Sequence, residues 1–78
     1  MLILVRHFAV LRERRGKGEE TVDVESGLTV GRLYEQLFPA SSLGALPVMY
    51  AVNQEYVAEE YVLNAGDEVA FIPPLGGG

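Results

Sequence analysis

Only one stretch of this chain repeats its apolar residues at helical spacing, and it lies between runs that read as strands. Val30, Leu33, Leu37 and Phe38 fall on one face with Tyr34 beside them; Thr29 stands where an N-cap belongs, and Pro39 ends the pattern. The expected helix, Val30 to Phe38, is too short to persist in water on its own. Gly31 inside it costs about 1 kcal/mol against alanine, so its stability has to come from packing. A chain of 78 residues has room for a single core. The helix therefore needs a sheet to lie across.

The strands are legible on either side. Leu2 to Ala9 is dense in apolar and β-branched residues, Arg14-Arg15-Gly16-Lys17-Gly18 reads as a turn, and Glu20 to Glu25 alternates with Val22 and Val24 on one face. These two runs are expected to form an antiparallel hairpin. After the helix, residues 40–47 read as an irregular loop, Val48 to Val52 as a third strand, Asn53-Gln54 as a turn and Tyr56-Val57 as a short return arm. Asn64-Ala65-Gly66-Asp67 is another turn. Glu68 to Ile72 is a last strand, ended by Pro73 and Pro74, which lack the amide hydrogen a ladder needs. The order ββαβ(β)β gives an α+β fold in which a helix covers one face of a mixed sheet, with the last strand in the middle beside and parallel to the first. That is the β-grasp, ubiquitin-like arrangement. Val5, Val22, Val24, Leu33, Leu37, Val52 and Val69 are its expected core. Residues 1–74 form the domain in this reading, and 75–78 form a flexible tail carrying the reactive carboxylate.

Composition removes several function classes. Without cysteine there is no disulfide, thiolate ligand or cysteine nucleophile, and the single histidine cannot build a metal site alone. Leu2 to Val5 has no basic segment ahead of it, and no run approaches the roughly 20 apolar residues of a membrane span. A cytoplasmic protein with no membrane partner is expected. A net charge of -5 argues against nucleic acid, whose binders neutralise phosphates. The charge is also divided: every cation lies at or before Arg32, whereas residues 33–78 carry Glu35, Glu55, Glu59, Glu60, Asp67 and Glu68 unopposed. Such a field suits a partner with a basic docking surface, and solvated acidic loops would look the same.

Within the first strand Ile3, Val5 and His7 point one way and Leu2, Leu4, Arg6 and Phe8 the other, so both faces are largely apolar. The helix can cover only one. Leu2, Leu4 and Phe8, joined by Ala70 or Ile72, then form an apolar patch on the open face, unless the phase is shifted by one residue. His7 reads as a packed side chain rather than a catalyst. Tyr50, Tyr56 and Tyr61 read as sheet packing, and Arg14, Arg15 and Lys17 do not form a phosphate cradle, because no helix follows Gly16 and Gly18. No catalytic constellation is visible within the chain.

What remains is the ending, Pro73-Pro74-Leu75-Gly76-Gly77-Gly78. Glycines here make a thin tether that can enter another protein's active site, and the prolines give it a stiff start. Extended, residues 73–78 span at most roughly 20 Å. A terminal carboxyl with a pKa near ~3.5 is an anion at neutral pH and a poor electrophile, so chemistry at Gly78 requires activation.

Three blocks in register resemble one family. Phe8-Ala9-Val10-Leu11-Arg12-Glu13 closing the first strand, Ala51-Val52-Asn53-Gln54, and Gly66-Asp67-Glu68-Val69-Ala70-Phe71-Ile72-Pro73-Pro74 running into Gly77-Gly78 look like the small, sulfur-carrier subunit of molybdopterin synthase, in the MoaD/ThiS-like β-grasp family. Gly76 replaces a usual small side chain and Leu75 a common valine, departures that bear on the fit of the tail. The resemblance implies that an ATP-dependent, E1-like enzyme adenylates the carboxylate of Gly78 and that sulfur displaces AMP to leave a thiocarboxylate. It further implies that the large synthase subunit uses this sulfur for the molybdopterin dithiolene, in a heterotetramer. No cofactor is held stably; ATP is consumed by the activating enzyme. Gly77 and Gly78 are then the chemical end of the molecule, and Phe8, Arg12, Ile72, Pro74, Leu75 and Gly76 its partner-binding residues. A related carrier serving thiamine synthesis, tRNA thiolation or protein conjugation would share the tail. A ubiquitin-like module that only docks would not need it.

Overall fold

The computed structural model describes residues 1–39 and 47–73. Pro74, Leu75, Gly76, Gly77 and Gly78, and the expected loop apart from Pro47, lie outside the described residues. The elements are β1 (Leu2–His7), α1 (Ala9–Arg15), β2 (Glu19–Asp23), α2 (Val30–Leu37), β3 (Met49–Val52), β4 (Glu55–Val57) and β5 (Glu68–Ile72). One sheet runs in the order β2-β1-β5-β3-β4, parallel between β1 and β5 and antiparallel elsewhere. This is the β-grasp arrangement, with the last strand in the middle.

The phase expected for β1 holds. Ile3, Val5 and His7 are buried, and the register sets Ile3 against Val22, Val5 against Val69 and His7 against Phe71. Ile3, Val5, Val69 and Phe71 form one core under α2 with Leu28, Val30, Leu33, Phe38, Val52 and Leu63. Of the expected core residues Val5, Leu33, Val52 and Val69 are fully inside, while Val22, Val24 and Leu37 are half-buried against it. Phe71 is the hub of a ring cluster, with Tyr34 at 5.1 Å, Tyr50 at 6.1 Å and Phe38 at 6.2 Å between centroids. Of the tyrosines expected to pack the sheet, Tyr50 does so, but Tyr56 is 67% exposed and Tyr61 36%.

One expectation is corrected. β1 ends at His7, not Ala9, and the connection to β2 is a second helix rather than a tight turn. The backbone turns a corner at Ala9, whose φ is 51°, and α1 then drops the fully buried Leu11 into the core. Gly16 stops the helix in the left-handed region at φ 75°, its N–H donating to the Arg12 carbonyl at 2.9 Å. The block from Phe8 to Glu13 is thus a helix entry, not a strand end.

At the other helix, the expected cap is present: Thr29 Oγ1 accepts from the Arg32 N–H at 3.2 Å. The remaining free N–H groups of the first turn are used by the chain around residue 60. Val30 donates to the Tyr61 carbonyl at 2.9 Å and Gly31 to the Glu59 carbonyl at 3.0 Å. This contact explains Gly31. A Cβ there would stand 2.9 Å from Glu59 Cβ and 3.0 Å from its carbonyl oxygen. Helix propensity alone predicts that Gly31→Ala gains about 1 kcal/mol. The clash reverses the sign, because backbone must move: we expect a loss of about 1–3 kcal/mol. In a domain of this size that lowers Tm by about 4–8 °C per kcal/mol, read by thermal denaturation. A stabilised alanine variant would overturn the argument.

Candidate functional site

The sheet face away from the core is the candidate. Its residues follow from the register: Leu4 pairs with Glu68 and Arg6 with Ala70 across β1 and β5, Ile72 with Met49 and Ala70 with Ala51 across β5 and β3, and Ala51 with Tyr56 across β3 and β4. All of these side chains share one surface, because same-face residues alternate along each strand. Leu2, Met49 and Tyr56 are more than half exposed and Phe8 is 45% exposed. A shallow groove runs between Phe8, Arg6, Glu68, Ala70, Ile72 and Tyr56. One ion pair crosses it, Arg6 Nε to Glu68 Oε2 at 2.9 Å. Apolar ground with a single polar crossing is the make-up of a protein-docking surface.

The face ends where the chain leaves the sheet. His7 is paired with Phe71, so the next residues, Phe8 and Ile72, come to the same sheet end; Pro73 beyond Ile72 is buried. Phe8 and Ile72 are therefore brought together beside the start of the tail. Arg12 is exposed on α1, one turn past Phe8, and its side chain lies against Gly18, whose added Cβ would meet Arg12 Nε at 3.5 Å. The placement of Pro74, Leu75, Gly76, Gly77 and Gly78 lies outside the described residues.

Beneath the same sheet end sits a cluster that was not singled out from the sequence. His7 is 2% exposed, and its Nε2 lies 2.6 Å from Glu20 Oε2. A carboxylate only accepts, so Nε2–H donates and Nδ1 is left buried with no hydrogen-bond partner. Arg15 grips the same carboxylate from α1, Nε to Oε2 at 2.8 Å and a terminal nitrogen to Oε1 at 2.7 Å. The signal was present: Glu20 shares its phase with Val22 and Val24, so strand alternation alone turns it inward. Arg15's hydrogen bonds, aided by that of His7 and opposed by burial, hold the Glu20 carboxyl down at about 2 from an ordinary 4.5.

A depressed carboxylate pKa stabilises the fold above its unfolded value and ceases to do so as pH falls through the folded one. The Glu20 side chain is only 9% exposed, so solvent screens the pair little. The contribution is on the order of 2–3 kcal/mol. Melting curves of the wild type and Glu20→Gln should differ most above pH 4.5 and converge toward pH 2. A gap that stays constant over this range would mean that the charge is not its source.

At the opposite end of β5, Asp67, 7% exposed, accepts from Asn53 Nδ2 at 3.0 Å and from the Asn64 N–H at 2.8 Å, while the Glu68 N–H donates to Asn53 Oδ1 at 3.0 Å. This clamp fixes β5 against the β3–β4 turn, where Asn53 and Gln54 both have positive φ. It accounts physically for the Asn53 and Asp67 positions in two of the quoted blocks. Among the described residues no group of three His, Cys, Asp or Glu is arranged to hold a metal ion, and no helix is long and apolar enough to cross a membrane.

The described residues thus present a largely apolar, partly exposed sheet face that ends beside Pro73. Several known proteins are similar to this chain over nearly its whole length. The "Molybdopterin synthase sulfur carrier subunit" of Chlamydomonas reinhardtii is 40% identical over 83 residues, covering 100% of both chains. That of Mycobacterium tuberculosis is 40% identical over 78 residues, covering 95% of this chain and 94% of the relative. Among solved structures, SAMP1 from Haloferax volcanii, 28% identical, superposes with a TM-score of 0.80 over 100% of both chains. The model of the ThiS family matches residues 5–78, from β1 through the glycines, and the chain belongs to that family.

Proposed function

We propose that this chain is a sulfur carrier for molybdopterin synthesis, whose Gly78 carboxylate is adenylated and then converted to a thiocarboxylate. What supports the reading is 40% identity to two carrier subunits of molybdopterin synthase, the first match covering 100% of the chain, together with a family match that runs to residue 78. The docking face beside the tail's start supports it. The carboxylate attacks the α-phosphorus of ATP and releases pyrophosphate; a sulfur nucleophile then takes the acyl group and releases AMP. Residues 1–73 orient the tail for two partners, an E1-like adenylating enzyme and the large synthase subunit, with which the chain forms a heterotetramer in the cytoplasm. The open face, centred on Phe8 and Ile72, meets the large subunit, while Pro74, Leu75 and Gly76 lead Gly77 and Gly78 into its active site. Arg12 is the peripheral contact of this interface.

The test is mass spectrometry of the protein after incubation with ATP, its activating enzyme and a sulfur source. The expected product carries one oxygen replaced by sulfur at the terminus. A wild type that is never adenylated overturns the reading. The likeness to SAMP1, a small archaeal modifier protein, favours a second reading as a protein modifier. That reading predicts isopeptide-linked adducts in the cell in place of sulfur transfer.

A further inference from the structure

We propose that Glu20 is a positioning residue for partner docking: by holding His7 and Arg15 together it fixes α1 and the corner before it, and so sets Phe8 on the open face. The inference rests on the docking role given to that face above.

Short α1 has little to hold it in place. It spans seven residues, has no side-chain hydrogen bond at its N-cap and no acidic residue in its first turn, and its single buried residue is Leu11. Helices of this length do not persist by propensity. Phe8 is its N-cap residue, and the next, Ala9, holds φ 51°, a conformation that a side chain with a Cβ adopts at a cost and keeps only where its surroundings impose it. The corner that aims Phe8 is therefore strained and has to be held from both sides.

Glu20 holds both. One carboxylate oxygen takes the hydrogen bond of His7, the residue just before Phe8, at 2.6 Å, and the two oxygens together receive the Arg15 guanidinium from the last turn of α1. The two-pronged arrangement fixes direction as well as distance. His7 has no other side-chain hydrogen bond, since Nδ1 is unpartnered, and its ring otherwise makes only ring contacts, edge-on to Phe38 at 5.4 Å and stacked on Phe71 at 6.5 Å between centroids, which do not fix a hydrogen-bonding direction. Loss of the carboxylate removes the hydrogen bonds of the imidazole and the guanidinium together. The main chain ties the same elements less directly, through the His7 N–H on the Gly18 carbonyl at 2.8 Å.

A residue that only stabilises the fold and one that acts through Phe8 differ in a double-mutant cycle. Affinity for the large synthase subunit from the same cell is measured for the full chain, for Glu20→Gln, for Phe8→Ala and for the double variant, well below each Tm. Glu20→Gln should weaken binding about tenfold when Phe8 is present and less than about twofold when residue 8 is alanine. Because Glu20→Gln lowers stability, Arg15→Met is taken through the same cycle and should couple to Phe8 in the same sense. Hydrogen exchange at the Leu11, Arg12 and Gly16 amides should quicken in both variants while the β5 amides remain protected. Additive effects in both cycles, or unchanged exchange in α1, would overturn the proposal. A wild type that does not bind the large subunit, with α1 exchange still responding to Glu20→Gln, would instead overturn the docking reading.

Discussion

Removing Gly77 and Gly78 should abolish ATP-dependent thiocarboxylate formation and leave the melting temperature nearly unchanged. The two halves of this expectation have separate causes. Among the described residues the buried core is assembled between Ile3 and Phe71, and changes away from core, caps and networks stay within about 0.5 kcal/mol. On the proposed carrier role the chain contributes a carboxylate on a glycine, and the new terminus would fall two residues short of the reacting atoms of both partners. Binding geometry displaced by this much forfeits the proximity on which acyl transfer depends. Gly76→Ser should be tolerated, since the family resemblance implies a small side chain there. Gly77→Val should fail, because a branched Cβ has to pass through two enzyme channels. A truncated protein that still supports molybdopterin synthesis would sink the carrier reading and promote the docking module in its place.

The parts of this fold legible in the sequence are those governed by alternation and caps. Ile3, Val5 and His7 against Leu2, Leu4 and Phe8 gave the inward and open faces of β1 correctly, and Thr29 and Pro39 bracketed α2 to within a residue. The bounds of β5 were also readable, because a Gly66-Asp67 turn and a proline pair frame it. Short α1 was not readable, for a physical reason. Its one buried residue makes no periodic stripe, Phe8 is no side-chain cap, and the positive φ at Ala9 is imposed by tertiary contacts that no local pattern announces. Gly31 likewise looked like a weakness in a helix until the backbone of Glu59 was found against it.

The candidate site divides along the same line. Phe8 and Ile72 were visible because an apolar residue on a face that no helix covers is itself a signal, and the parallel register brings them to one sheet end. Arg12 was chosen on resemblance, and the structure lays its side chain over Gly18, one helical turn past Phe8. Glu20 and Asp67 are buried acids whose partners are distant in sequence: Glu20 meets His7 across thirteen residues, and Asp67 meets Asn53 across fourteen. A carboxylate at an inward strand position needs such a partner, since an unpaired charge there would be strongly destabilising. That rule, applied to the alternation of Glu20 with Val22, would have predicted the cluster.

Phe8→Asp should separate docking from folding. Phe8 belongs to the open face and not to the core, so the substitution removes an exposed aromatic and sets a charge where the large subunit is proposed to press apolar surface. An anchor of this kind is worth about 2 kcal/mol, or roughly a thirtyfold rise in Kd, measured by calorimetry or surface binding. The fold has a reason to tolerate this residue in particular. Phe8 holds the N-cap position of α1 with extended backbone, φ -128° and ψ 150°, and makes no side-chain cap hydrogen bond. Aspartate is a favoured N-cap, and its charge suits the positive end of a helix, so α1 should gain stability as the interface loses it. Weakened binding with an unchanged or higher Tm is therefore the expected pair of results. Should Phe8→Asp unfold the domain, Phe8 would be part of the packing and the face would have been assigned wrongly; should it bind normally, the large subunit docks elsewhere.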